Sequence, residues 1–192
     1  MGEHTSAGII GVGAAVPEKV LTNADLEKMV DTSDEWIRNM TGIVERRMAA
    51  EGEATSDYAV KASRLALERA NLQPTDIDLI IIATITGDMP FPATASIVQN
   101  ALGARCPAFD LSAGCSGWVY ALSVANGFVS SGIYNKVLVI GADLPAARRV
   151  TLARFLDAAG DPIDVGSRCF SPRRIPIPVS MSSSYTATVV PS

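Results

Sequence analysis

Cys115 sits in the run Phe109-Asp110-Leu111-Ser112-Ala113-Gly114-Cys115-Ser116-Gly117-Trp118, where a short apolar stretch gives way to small residues and then to a long apolar helix. A cysteine at the first turn of a helix faces unpaired backbone N–H groups and the positive end of the helix dipole, and both favour thiolate over thiol. Its small neighbours Ala113, Gly114, Ser116 and Gly117 would let a thioester come close to the backbone. The chemistry that suits this setting is acyl transfer through sulfur. The alternative is a buried, inert thiol, a common fate of a lone cysteine. Cys106 precedes Pro107 without such a helix start, and Cys169 lies in a proline-interrupted tail. A cysteine protease would need a histidine within hydrogen-bond reach, and the single histidine of the chain is His4, close to the N-terminus. The chain therefore offers a nucleophile without its usual base.

Other candidate groups carry less specific signals. Trp36 lies near Arg38, Arg46 and Arg47, a grouping that could stack an adenine and pair its phosphates. It could equally be a hydrophobic anchor on a charged hairpin. Gly11-Val12-Gly13-Ala14-Ala15-Val16 begins like a dinucleotide loop but lacks its third small position and runs into Pro17 instead of a helix, so strand packing better explains these glycines. Three irregularly spaced cysteines give neither a disulfide framework nor paired zinc ligands, which fits a reducing cytoplasm and no metal. The net charge of -4 supplies no basic field for nucleic acid or an anionic membrane. The N-terminus has acidic Glu3 and no cationic region, so its apolar stretch reads as a strand rather than a signal peptide. No segment has the length and apolarity of a membrane span.

The elements that would position Cys115 follow from periodicity and punctuation. Residues 7 to 13 predict a first strand. Thr22-Asn23 caps a helix through Val30, and Thr32-Ser33-Asp34-Glu35 starts a second that Gly42 stops; together they form a charged surface hairpin. Thr55 or Ser56 opens a longer helix to about Asn71, with a small-residue face at Ala59, Ala62 and Ala66 made for a sheet. Asp78 to Thr84 is a continuous apolar run, the pattern of a strand buried on both faces. Helix 94–102, strand Ala108 to Leu111, helix 115–131 and strand Val137 to Ile140 alternate strictly after it. This order predicts an α/β fold with a mainly parallel sheet and helices on both faces. Apolar residues cover nearly the whole circumference of helix 115–131, including Trp118, Val119, Tyr120, Leu122, Val124 and Phe128. A single sheet covers one side of a helix, so this one calls for a second layer.

Four motifs occur here in one order: Thr22-Asn23-Ala24-Asp25-Leu26, Asp31-Thr32-Ser33-Asp34-Glu35-Trp36-Ile37, Thr41-Gly42-Ile43 with Arg46-Arg47, and Ala113-Gly114-Cys115-Ser116-Gly117. Over about residues 7 to 143 the chain closely resembles the N-terminal half of β-ketoacyl-acyl carrier protein synthase III, a condensing enzyme of the thiolase superfamily. The resemblance implies one half of a duplicated thiolase-like fold within a dimeric enzyme, the other half covering the apolar helix. It implies an acyltransferase of fatty-acid or polyketide initiation, with acyl-CoA and malonyl-acyl carrier protein as its two substrates and no cofactor. Cys115 would carry the acyl group; Thr32, Trp36 and Arg38 would hold coenzyme A, and Phe91 would reach the partner's acyl pocket across the dimer. An arginine that the family places just before Thr-Gly-Ile is Met40 here, and Arg38 lies close enough in sequence to substitute for it.

After Asp143 the composition shifts. From Leu144 onward there is no lysine or glutamate, and Pro162, Pro172, Pro176, Pro178 and Pro191 interrupt the chain. Residues 1–143 are expected as the thiolase-like domain and 144–192 as a divergent, poorly ordered tail, with one short helix between Ala147 and Ala159 and Ser167 to Ser192 as extended chain with little to bury. The resemblance places the catalytic histidine and asparagine in a second half that residues 144–192 do not supply. A shifted reading frame or gene remnant, inactive or impaired, is one expectation for this chain. A non-catalytic module that binds coenzyme A or pairs with a complete synthase is the other.

Overall fold

In the computed structural model, residues 7–144 and the backbone of residues 185–191 are described. Their sheet is built around β4 (Leu79–Ala83), whose Ile80 and Ile82 point to one face and Leu79 and Ile81 to the other, all at most 1% exposed. An all-apolar strand of this kind must be covered on both sides, and each fully buried branched side chain contributes about 1.5–3 kcal/mol. On the first face lie α3 (Thr55–Ala70) and α4 (Thr94–Leu102), which bring Tyr58, Ala59, Ala62, Ala66 and Val98 onto Ile80 and Ile82. On the second lies α5 (Gly117–Ser130), which brings Ala121, Ala125 and Val129 onto Leu79 and Ile81.

The five strands run in the order β1 (Gly11–Ala15), β7 (Tyr185–Pro191), β6 (Lys136–Gly141), β4, β5 (Ala108–Leu111). β4 is parallel to both β5 and β6, whereas β7 is antiparallel to β1 and β6. The fold is thus the α/β class with a mainly parallel mixed sheet and helices on both faces. α4 connects β4 to β5 on one side, and α5 carries the chain from β5 back past β4 to β6 on the other. The two connections thus leave β4 and β5 on opposite faces, and in such sheets the usual place for a site is at the carboxyl ends of the parallel strands, beside the reversal.

β1 approaches α3 more closely than a side chain would permit. A Cβ on Gly11 would overlap the Ala66 carbonyl oxygen, and one on Gly13 that of Ala62, so both glycines serve strand packing. A separate two-stranded ribbon, β2 (Lys19–Thr22) with β3 (Glu45–Met48), carries α1 (Asn23–Glu27) and α2 (Asp34–Thr41) between its strands.

Some expectations change: β1 runs from Gly11 to Ala15 instead of over residues 7 to 13. α1 stops at Glu27 rather than Val30. α5 is buried along Gly117, Ala121, Ala125 and Val129, whereas Val119 and Tyr120 on the opposite side are more than half exposed, because no second layer covers them among the described residues. Residues 185–191, expected as extended chain with little to bury, form a strand inside the sheet: Tyr185-Thr186-Ala187-Thr188-Val189-Val190 is rich in β-branched residues, and pairing on both edges satisfies its backbone. The short helix expected between Ala147 and Ala159 lies outside the described residues, as does most of the tail.

Candidate active site

Cys115 stands at the carboxyl end of β5, on a single 3-10 turn formed by Gly114–Ser116, directly ahead of α5. The helix proper begins at Gly117, two residues later than the sequence suggests. Gly114 makes the turn with φ of 54°, a left-handed conformation that costs a Cβ-bearing residue energy, and Ser116 N–H closes it onto the Ala113 carbonyl at 3.2 Å. Gly117 then seats α5 against β4, where an added Cβ would lie 3.2 Å from Ala83 Cβ. The outcome is an exposed free thiol. Cys106 is the contrasting case, buried below α4 with its thiol pushed up by desolvation and, secondarily, by Asp78. Cys169 and His4 lie outside the described residues.

Three carboxylates brace the segment between β4 and α4, at the same end of the sheet as this turn. Asp143, two residues beyond β6, accepts through Oδ1 from Ile85 N–H at 2.8 Å, Thr86 Oγ1 at 3.1 Å and Thr84 Oγ1 at 3.2 Å. Asp110 on β5 accepts from Thr94 N–H and Ala95 N–H, both at 2.8 Å, and so caps α4 from a neighbouring strand. Asp88, between these anchors, accepts from Ser56 N–H at 3.0 Å at the start of α3. The loop 84–93 is therefore fixed at both ends, and it projects Phe91, 87% exposed, from the same end of the sheet as Cys115. Sequence reasoning missed these carboxylates. An acid inside the apolar strand Ala108–Leu111, and another just past the apolar strand Lys136–Gly141, were the available signals.

Thr32, Trp36 and Arg38 gather elsewhere, on α2 and its lead-in. Ser33 caps the helix by accepting from Trp36 N–H at 3.1 Å, and Gly42 ends it with φ of 72°. Trp36 is half exposed, and Thr32 half-buried. Arg38 is tied through Nε to Asp34 Oδ2 at 2.6 Å, one turn back. Asp34 is held below the ordinary carboxylate range, first by the Asn23 amide and then by Arg38. Among the described residues no hydrogen bond links α2 to Cys115 or Phe91, and the thiol and the aromatic–arginine group stand on separate elements. Among the described residues no three metal-binding side chains cluster, and no helix is long and apolar enough to cross a membrane.

Residues 109–160, which include the Cys115 turn, match the family model for 3-oxoacyl-[acyl-carrier-protein (ACP)] synthase III. The beta-ketoacyl-[acyl-carrier-protein] synthase III of Caldanaerobacter subterraneus subsp. tengcongensis is 60% identical over 144 residues, covering 74% of this chain and 44% of that protein. The namesake protein of Symbiobacterium thermophilum is 57% identical over 159 residues, covering 80% and 48%. The chain belongs to the synthase III family. The crystal structure of the Aquifex aeolicus synthase III superposes with a TM-score of 0.77 at 44% identity, covering 97% of this chain and 54% of that one. The priming β-ketosynthase of the R1128 polyketide pathway superposes at 0.76 and 31% identity, covering 100% and 52%. The chain spans about half the length of the curated synthase III relatives it matches.

Proposed function

We propose that this chain provides the acyl-carrying half of a β-ketoacyl-acyl carrier protein synthase III, a cytoplasmic acyltransferase of fatty-acid initiation. The observation that carries the reading is the exposed Cys115 thiol on a tight turn between β5 and α5. In the first step the Cys115 sulfur attacks the carbonyl carbon of an acyl-CoA; the carbon–sulfur bond to coenzyme A breaks, the proton of the cysteine thiol passes to the departing sulfur so that free coenzyme A leaves, and an acyl-cysteine thioester forms. Thr32, Trp36 and Arg38 bind the nucleotide end of coenzyme A, Trp36 by stacking and Arg38 by charge. Phe91 serves the acyl pocket across a homodimer, a role that its exposure on a braced loop suits. Malonyl-acyl carrier protein is the second substrate; neither a cofactor nor nucleic acid takes part.

Condensation generates an enolate whose charge needs positioned donors, and loss of a single such donor costs about 10²–10³-fold in rate. The resemblance assigns the histidine and asparagine donors to the other half of the fold. The 192-residue chain by itself therefore accepts an acyl group without condensing it. Mass spectrometry after incubation with acetyl-CoA is expected to find one acetyl group on Cys115 and none in Cys115→Ser, with no β-ketoacyl product when malonyl-acyl carrier protein is added. Acetylation that survives Cys115→Ser would overturn the nucleophile. Product formed at an ordinary synthase rate would overturn the division of labour between the halves.

A second reading rests on the open side of α5. Val119 and Tyr120 there would suit a chain that docks on a complete synthase as a non-catalytic, CoA-binding subunit. Co-elution with such a synthase, without Cys115 acetylation, would favour it.

A further inference from the structure

Asn23 is where the α1–α2 corner and the β2–β3 ribbon converge. The residue is 2% exposed, and partners from three different segments engage its amide. Nδ2 donates to Asp34 Oδ1 at 2.6 Å and to the Ile43 carbonyl at 2.9 Å, and Oδ1 accepts from the guanidinium of Arg46, itself 4% exposed. Asp34 opens α2, Ile43 follows it, and Arg46 lies on β3. The relay continues outward: Asp34 Oδ2 accepts from Arg38 Nε–H at 2.6 Å, and the Asp34 backbone N–H donates to Glu27 Oε1 at 2.7 Å. A carboxamide suits this point because it donates twice to acceptors while accepting from a cation, which neither a carboxylate nor a hydroxyl does.

Leu26 on α1 and Ile37 on α2 are already buried apolar side chains of the corner, so packing alone does not call for a buried amide and guanidinium. Satisfied polar networks fix orientation more strictly than apolar contacts do. This one runs from the buried Arg46 to the half-exposed Arg38, and it is anchored at the first residue of the helix that presents Trp36. We propose that Asn23 is a positioning residue for the nucleotide end of coenzyme A, setting through Asp34 the orientation of the α2 helix that presents Trp36 and Arg38. The inference rests on the coenzyme A reading of those two residues.

The test uses the 192-residue chain as wild type and as Trp36→Ala, Asn23→Ala and Asp34→Ala, each first checked for folding by circular dichroism. Calorimetry measures coenzyme A affinity, and mass spectrometry compares acetylation of Cys115 by acetyl-CoA with that by acetyl-pantetheine, which lacks the nucleotide. Asn23→Ala and Asp34→Ala are each expected to weaken coenzyme A binding about tenfold, the scale of a lost charge-assisted hydrogen bond, and to lower the acetyl-CoA preference by a similar factor. A purely structural role would slow both donors alike and leave the preference unmoved. Should Asn23→Ala not fold, Asp34→Ala, on a partly exposed side chain, decides the matter. If Trp36→Ala loses binding while both positioning variants stay within twofold of wild type, the role of Asn23 is wrong and the coenzyme A reading stands. If Trp36→Ala binds like wild type, or wild type does not bind, the coenzyme A reading fails and the inference fails with it.

Discussion

Replacing Asp110 by alanine should destabilise the fold by an amount that the geometry of α4 sets. The residue preceding α4 is Ala93, which has no side-chain acceptor, so Thr94 and Ala95 N–H depend on Asp110 Oδ2 and Oδ1, each at 2.8 Å. At about 1 kcal/mol per bond, plus about 0.5 kcal/mol for a carboxylate at a helix N-terminus, Asp110→Ala costs about 2.5 kcal/mol. With a urea dependence of about 2 kcal/mol per molar, the unfolding midpoint drops by about 1.2 M. Asp110→Asn keeps one carbonyl acceptor and should lose roughly half as much. Urea titrations followed by circular dichroism at neutral pH would measure both. Phe91→Ala, at an 87% exposed position on the same loop, is the reference that should leave the midpoint in place. A midpoint for Asp110→Ala within about 0.3 M of wild type would show that α4 caps itself some other way, and that the loop carrying Phe91 is not braced through this strand.

Acid should weaken the α1 cap. The Thr22 hydroxyl, followed by Lys28, lowers the Asp25 carboxyl from 3.8 to about 2. A carboxyl depressed in the folded state stabilises above its unfolded value and loses that contribution as pH falls towards the folded one, so helical signal from this corner should decline from about pH 4 to pH 2 and Asp25→Asn should remove that dependence. Gly13→Val drives a side chain into the Ala62 carbonyl and should cost about 3 kcal/mol, visible as a lower urea midpoint or insoluble expression. On size-exclusion chromatography the wild-type chain should self-associate through the open side of α5, whereas Val119→Lys combined with Tyr120→Lys should elute as a sharper, smaller species without a change in urea midpoint. Identical elution of both would show that this side does not drive association.

Several elements were legible because local chemistry decides them. The unbroken run Leu79–Ala83 required burial on both faces, the bounds of α4 and β5 matched their sequence signals, and α2 begins at a hydroxyl cap and ends at a glycine as read. β2 and β3 were not legible, because Lys19–Thr22 and Glu45–Met48 are short and charged, and only their pairing makes them strands. β7 was hidden by the serines and prolines around it. The candidate nucleophile was visible from its small neighbours, but its 3-10 turn was not. The braces escaped notice because they act at a distance: Asp143 holds residues 58 positions away, and no window of sequence shows such a contact.

The place of β7 also bears on the order in which the chain assembles during synthesis. β1 is synthesised about 170 residues before its hydrogen-bonding partner among the described strands, β7, which begins at Tyr185. Emerging N-terminal segments can pack Gly11 and Gly13 onto α3 and complete the β6–β4–β5 core while one edge of β1 and one edge of β6 remain unpaired. Such open edges invite pairing with other nascent chains until the late strand arrives to close them. A late strand thus acts as a bolt for an early one, and a ribosome that stalls before Tyr185 would release a sheet with a gap between β1 and β6.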